Sequence, residues 1–71
     1  MPSIYSKDYQ RFLIRLKRAR LDSGLTQVQV GKLLKLPQTW VSKVERGERR
    51  LDIVEVAKFA KLYKKPLSYF S

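Results

Sequence analysis

Glycine and proline divide this sequence into short segments, and that division limits the fold more than any other feature does. The breakers follow one another at uneven intervals: Pro2, Gly24, Gly31, Pro37, Gly47 and Pro66. Between them, apolar residues recur every three or four positions, which is the spacing of one helix face. No segment alternates apolar and polar residues, so the sequence does not indicate strands. The pattern predicts an all-α domain, compact and built from five short helices.

Capping signals give the outer helices. Ser6 can cap a first helix that runs to about Ser23, where Gly24 can end it. Its predicted inner face is Tyr9, Phe12, Leu13 and Leu16. Asp52 and Glu55 form a capping box that opens a fourth helix. The inner positions of that helix are Val56, Phe59, Ala60 and either Leu62 or Tyr63. A C-terminal helix, at about residues 66–70, starts at Pro66.

Two short helices are predicted between these, joined by a tight turn. Thr26 can cap the first, at about residues 27–35, and Pro37 fits just before the second, at about residues 38–46. The inner faces are then Val30 and Leu34 in the first and Val41 and Val44 in the second. Two short helices with such a connection make a helix-turn-helix, at about residues 26–46 of a single domain spanning residues 1–71.

Glycine at position 31 lies inside a predicted helix, where it costs about 1 kcal/mol relative to Ala. We expect another helix to approach Gly31 closely, since only a small side chain leaves room for tight crossing. Leu36, just after the turn, can pin the second helix. Position 35 of such a turn usually takes a left-handed backbone conformation, so Lys35 is a departure there.

The charge of the chain points to a polyanionic partner. Sixteen Lys and Arg against six Asp and Glu give a net charge of +10. Between Ser23 and Val44 there is no acidic residue, while basic residues lie in that window and directly after it: Lys32, Lys35, Lys43, Arg46, Arg49 and Arg50. Charge alone would also fit a solubilising surface, but an acid-free window followed by arginines favours contact with phosphates.

Several classes of protein are disfavoured by what the sequence lacks. There is no cysteine and no histidine, which removes disulfides, thiolate sites, the commonest general base and the commonest metal ligand. Capping accounts for Asp52 and Glu55. We therefore expect no enzyme activity, no cofactor, no metal and no small-molecule ligand. No stretch approaches a membrane span, and residues 1–6 do not read as a signal peptide, so we expect a cytoplasmic protein.

The middle of the chain resembles the Xre/Cro-type, lambda-repressor-like family of helix-turn-helix domains. The segments that carry the resemblance are Leu25-Thr26-Gln27, Val30-Gly31-Lys32-Leu33-Leu34 and the run from Pro37 to Arg49, with its Ser-Lys-Val-Glu-Arg-Gly core. The likeness covers roughly residues 8–70. It departs from the family at three positions, with Gly31 for the usual Ala, Lys35 for a turn Gly and Pro37 for a capping Ser. The resemblance implies a five-helix domain that binds double-stranded DNA and regulates transcription, most often as a repressor.

The resemblance also implies roles for individual residues. Bases in the major groove would be read by Gln38, Thr39 and Lys43. Gln27 would bind a phosphate and brace Gln38. The chemistry of these side chains agrees, because Gln can pair with adenine, Lys with guanine, and Thr with a thymine methyl. The expected contacts to the DNA backbone are Thr26, Gln27, Trp40, Ser42, Arg46 and Arg49. For Trp40 an alternative stays open, in which the indole covers the edge of the core.

Two charged residues occupy positions where the helical pattern asks for apolar ones. Arg20 continues the inner stripe of the first helix, and Glu45 adjoins Val41 and Val44 on the third. The family has an arginine and a glutamate at these positions, so the resemblance implies that Arg20 and Glu45 form an internal ion pair. Its role would be structural.

A single recognition helix reads only a few base pairs, so we expect a homodimer on a palindromic operator. The predicted dimer seam is Leu67, Tyr69 and Phe70, an apolar cluster at the end of the chain. In the alternative, Leu67 and Phe70 fold back to close the core.

Two other functions fit parts of the sequence. An antitoxin-like or other protein-interaction module could have the same fold. A cationic membrane-surface binder is a remote alternative, based on the amphipathic run at residues 12–18.

Overall fold

The computed structural model describes residues 6–71, and in this part of the chain all regular structure is helical. Residues 1–5, with Pro2 and most of the segment inspected for a signal peptide, lie outside it. Four α-helices follow one another: α1 (Lys7–Asp22), α2 (Gln27–Leu34), α3 (Gln38–Glu45) and α4 (Ile53–Tyr63). The chain ends in a 3₁₀ helix, Leu67–Phe70, which we call the C-terminal turn.

The all-α class is confirmed, but the prediction of five α-helices is wrong. The fifth segment is a single 3₁₀ turn of four residues. Pro66 sets its start, and short 3₁₀ segments of this length are common. None of the described helices is long and apolar enough to cross a membrane.

The predicted capping residues begin three of the helices. Ser6 Oγ accepts from the Tyr9 N–H at 3.1 Å. In the Asp52 capping box, the Glu55 N–H donates to Asp52 Oδ1 at 2.7 Å and the Asp52 N–H to Glu55 Oε1 at 3.0 Å. Thr26 starts α2 in the same reciprocal way with Gln29, at 3.1 and 2.9 Å. Local signals therefore place the helix starts.

The turn between α2 and α3 is unusually tight. Lys35 adopts a left-handed conformation with φ of 60°, so a non-glycine residue fills the position that usually needs glycine. A Cβ on Gly31 would lie 2.6 Å from the carbonyl oxygen of Leu36 and 3.4 Å from the Gln38 nitrogen. The close neighbours of Gly31 are therefore the turn backbone and the start of α3, so the helix expected near Gly31 approaches it through its first residue.

The core lies where α1 meets α3, α4 and the C-terminal turn. Its buried members are Leu16, Ala19, Val30, Val41, Val44, Phe59, Ala60, Tyr63 and Phe70. Phe70 packs against Phe12 with ring centroids 6.1 Å apart. Its placement in the dimer seam is thus wrong: Phe70 folds back and closes the core, while Leu67 stays exposed and Tyr69 is half-buried.

One side of the amphipathic run of α1, the side with Phe12 and Leu16, faces inward. Leu16 is fully buried, and Phe12 packs against the same core. The apolar side that a membrane-surface helix would insert into lipid is therefore occupied by the protein's own interior.

Candidate nucleic-acid interface

The outer face of α3 carries the side chains predicted to read bases. Gln38, Thr39 and Lys43 are exposed, whereas Val41 and Val44 on the other side are fully buried. An α-helix with its side chains is about 10–12 Å across, a diameter that the major groove accepts, and α3 has eight residues. Pro37, at the start of α3, is also exposed. The helix thus offers a short polar face to a ligand while its apolar face holds it to the core.

The lysines of the acid-free window keep their charge uncompensated. The ion pairs in residues 6–71 involve Arg18, Arg20, Arg46, Arg49 and Lys65 on the basic side. Lys32, Lys35 and Lys43 are exposed and belong to none of them. Of these three, Lys43 lies on the outer face of α3 itself, and an uncompensated positive charge there suits an anionic ligand.

Behind this surface, Arg20 and Glu45 form the ion pair that the resemblance implied. Arg20 Nε donates to Glu45 Oε2 at 2.7 Å, and its Nη2 donates to Oε1 at 3.2 Å. A third donor, Arg20 Nη1, reaches the carbonyl oxygen of Leu25 at 3.0 Å. The two side chains are only 10% and 6% exposed. These bidentate bonds offset the cost of burying both charges, and they join α1, α3 and the segment before α2.

A chain of hydrogen bonds runs from this pair to the surface. Gln27 Nε2 donates to Glu45 Oε1 at 3.0 Å, and Gln38 Nε2 donates to Gln27 Oε1 at 3.0 Å. A carboxylate only accepts, so Gln27 must present its NH₂ group to Glu45 and its oxygen to Gln38. Gln38 must in turn direct its NH₂ group at Gln27. The buried charge therefore sets the orientation of an exposed amide on α3.

Trp40 lies at the edge of the core, as in the alternative that the sequence left open. Its ring stacks on Phe59, with centroids 5.9 Å apart and planes 2° from parallel. The guanidinium of Arg49 lies 5.0 Å from the Trp40 ring centroid. With the indole packed in this way, Trp40 positions α3 against α4, and the structure offers no support for a contact to DNA.

The arginines after α3 have partners within the chain. Arg46 Nε lies 3.0 Å from Glu48 Oε2. Arg49 Nη2 lies 3.1 Å from Glu55 Oε2, and its Nη1 donates to the carbonyl oxygen of Arg50 at 3.0 Å. Both arginines remain partly exposed. They stabilise the segment that follows α3. The carboxylates of Glu48 and Glu55 offset part of the positive charge that these arginines present to a ligand.

Thr26 and Ser42 are the two remaining residues predicted to contact the DNA backbone. Thr26 directly precedes α2, and Ser42 lies in α3. Thr26 is exposed, but its hydroxyl already accepts from the Gln29 N–H as the cap of α2. Ser42 is half-buried beside the exposed Lys43. The first N–H groups of a helix have no partner within it, so the start of α2 favours an anion through its backbone.

The sequence offered Tyr63 as an inner residue of α4 and gave no role for its hydroxyl. Its hydroxyl is buried and is the one side-chain polar atom without a hydrogen bond among the buried atoms of the described chain. Burial raises the pKa of Tyr63 well above its ordinary value; the charge of Glu45 raises it further, and Arg20 opposes this. The neutral hydroxyl therefore lies within electrostatic reach of the buried ion pair.

Comparison with known proteins agrees with this geometry. Residues 11–66 match a family model described as a helix-turn-helix domain, of the Xre-like type. The match includes the whole of α2, the turn and α3. No curated protein matches the chain.

Proposed function

This chain belongs to the Xre-like helix-turn-helix family, and from that premise we propose that it is a sequence-specific DNA-binding regulator that reads the major groove with α3. The observation that carries the proposal is the hydrogen-bond chain from the buried Arg20–Glu45 pair through Gln27 to Gln38. The chain holds the exposed Gln38 amide in one orientation. Such an orientation has a use in recognising a ligand and none in contact with water alone.

Three exposed residues of α3 carry the reading of bases. With one N–H of Gln38 bound to Gln27, its oxygen and second N–H remain for a bidentate pair with adenine. Lys43 can donate to the O6 and N7 atoms of guanine, and Thr39 can contact a thymine methyl or donate a hydrogen bond. Each good pair contributes about 1–3 kcal/mol of discrimination.

Phosphate contacts hold α3 in register. The uncompensated Lys32 and Lys35 and the start of α2 with Gln27 are the strongest candidates. Ser42, Arg46 and Arg49 remain secondary candidates, because the two arginines must share their charge with nearby carboxylates.

We further propose that two copies bind a palindromic operator, since one α3 spans too few base pairs for a unique site. Phe70 is interior, so the seam lies on apolar residues that remain exposed, with Leu67 and the pair Ile53 and Val54 at the start of α4 as candidates. The domain measures 33 × 24 × 20 Å. Two such domains in contact can place their recognition helices about one turn of DNA, roughly 34 Å, apart.

Occupation of an operator by this dimer would exclude other proteins from it, which is the basis for proposing a repressor. We propose a binding protein without catalytic activity, acting in the cytoplasm because its ligand is chromosomal DNA.

Footprinting on the DNA that flanks the gene, followed by a salt titration, tests the function. If a dimer neutralises about 6–10 phosphates, affinity should fall by on the order of 10³-fold between 50 and 200 mM salt. The Lys32→Gln/Lys35→Gln double variant should show a shallower slope, and Lys58→Gln/Lys61→Gln, which removes two exposed charges from α4, serves as the matched control. Absence of any protected site, or a log–log slope shallower than about −2, would refute the proposal.

A further inference from the structure

The outer face of α1 is a second surface, and its chemistry differs from that of α3. Ile14 and Leu21 are 71% and 55% exposed on this face. Basic residues surround them, all exposed: Lys7, Arg11, Lys17 and Arg18. We propose that this surface, which we call the α1 outer face, binds an acidic amphipathic helix of a partner protein.

The position of this face leaves it free while DNA is bound. The inner side of α1 packs on α3, α4 and the C-terminal turn. Leu16, fully buried, and Ile14 are two residues apart, which is about 200° around a helix. The α1 outer face therefore points away from the core and from α3. A partner bound there would not compete with the major groove.

The spacing of the residues matches a helix as the occupant. Ile14 and Leu21 lie seven residues apart, about two helical turns, and Arg11 and Arg18 lie beside them at the same interval. Seven residues is the interval at which apolar side chains meet a helix packed alongside, and charged neighbours help to select that helix. Ile14 and Leu21 would be the apolar anchors, and the two arginines would select the charge of the opposing helix.

Charge determines which helix fits. Residues 6–22 hold six Lys and Arg and two Asp and Glu. One of the two acids, Asp22, lies 3.4 Å from Arg18 and shares the charge of that arginine, whereas Arg11 belongs to no ion pair within residues 6–71. A second copy of this chain would bring like charges together, which disfavours self-association. Glutamates flanking an apolar seam on the partner would pair with Arg11 and Arg18.

The distribution of charge along the chain supports a second anionic partner. Residues 24–50, which contain the helix-turn-helix, hold six Lys and Arg and two Asp and Glu. More than half of the net charge of +10 therefore lies elsewhere. Bare phosphates would leave Ile14 and Leu21 uncovered. A membrane surface would need a broader apolar side than two residues provide.

A designed peptide with the chemistry of the proposed partner tests this inference. The probe is a synthetic helix of about three heptads with Leu at the seam positions and Glu at the flanking ones. Titrated into the isotope-labelled full chain, it should shift amide resonances along α1 and leave those of α3 unchanged. Arg11→Glu and Ile14→Ser should each weaken binding by about tenfold or more. Both side chains are exposed, and melting curves verify that the variants fold.

Matched controls separate this surface from general charge effects. Lys61→Glu reverses an exposed charge on α4, and Leu33→Ser removes an exposed apolar side chain on α2. Both should leave peptide affinity within about twofold. The inference fails if the peptide shifts no α1 resonance, or if the controls weaken binding as much as the α1 variants. It also fails if a Lys-for-Glu peptide, random duplex DNA or anionic vesicles shift α1 equally. DNA affinity is measured separately on the same samples, so loss of this inference leaves the proposed function standing.

Discussion

The two faces of α3 carry polar residues in very different surroundings. On the inner face, Glu45 is almost completely buried and accepts hydrogen bonds from Arg20 and Gln27. On the outer face, Lys43 is exposed and has no ion pair in residues 6–71. The difference shows that burial and partners decide the role of a polar side chain. Glu45 determines how α3 sits, Lys43 can determine what α3 binds, and Gln38 is linked to both.

The largest effect should come from breaking the inner pair. Arg20→Met or Glu45→Leu alone leaves a buried charge without its partner, and each should cost roughly 3–5 kcal/mol of unfolding free energy. The Arg20→Met/Glu45→Leu double variant should recover most of the loss, because both charges are then gone. Denaturant melts of the two singles and the double measure this. Additive losses would show that the pair is not coupled.

A similar contrast between inner and outer residues holds in the C-terminal turn. Phe70 is buried against Phe12, whereas Leu67 is exposed. Phe70→Ala should cost about 3–5 kcal/mol of stability through lost burial and a cavity. Leu67→Ala should change unfolding free energy by less than about 0.5 kcal/mol. Equal losses in thermal melts would contradict the assignment of Phe70 to the core.

The outer face should affect DNA binding and leave stability unchanged. Gln38→Ala and Lys43→Ala should each cost about 1–3 kcal/mol of binding free energy and relax preference at one operator position. Gln27→Ala should weaken binding to all sequences and also relax the preference read by Gln38, because nothing then orients its amide. Binding assays on specific and random duplexes decide this. Equal losses on both duplexes for all three variants would reject base reading.

The smallest effect should be at the buried hydroxyl beside the ion pair. Tyr63→Phe removes an unpartnered group, so stability at neutral pH should stay equal or rise by up to about 1 kcal/mol. The Tyr9 hydroxyl, in contrast, accepts from the Leu51 N–H at 3.3 Å, and Tyr9→Phe should cost about 0.5–1.5 kcal/mol.

The same hydroxyl gives stability a dependence on alkaline pH. Because the folded-state pKa of Tyr63 is raised, its neutral form is favoured by folding, and this contribution is complete below the pKa of an unfolded tyrosine. It is lost as pH rises above about 10. Alkaline melts should show a steeper decline for the natural chain than for Tyr63→Phe, and parallel curves would contradict the prediction.

Most of the helical framework could be predicted because its signals are local. Ser6, Thr26 and Asp52 each bond to an N–H three residues later, so the cap and its partner lie in one stretch of sequence. The inner stripe at Leu16, Val41 and Val44 likewise follows from helical spacing. The tight approach at Gly31 is detectable as a propensity cost, and its neighbours are the turn and the start of α3.

Three features were decided only by the tertiary structure, because each depends on residues that are far apart in the chain: the inner residue of the C-terminal turn, the position of Trp40 and the orientation of Gln38. The sequence could not tell which of Leu67 and Phe70 faces inward, because that depends on the path after Lys64, a non-glycine residue in left-handed conformation. Nor could it place Trp40 on Phe59, 19 residues away in sequence. The orientation of Gln38 needs Gln27, Glu45 and Arg20 together, because one buried carboxylate, accepting from two helices, sets the direction of every amide that follows.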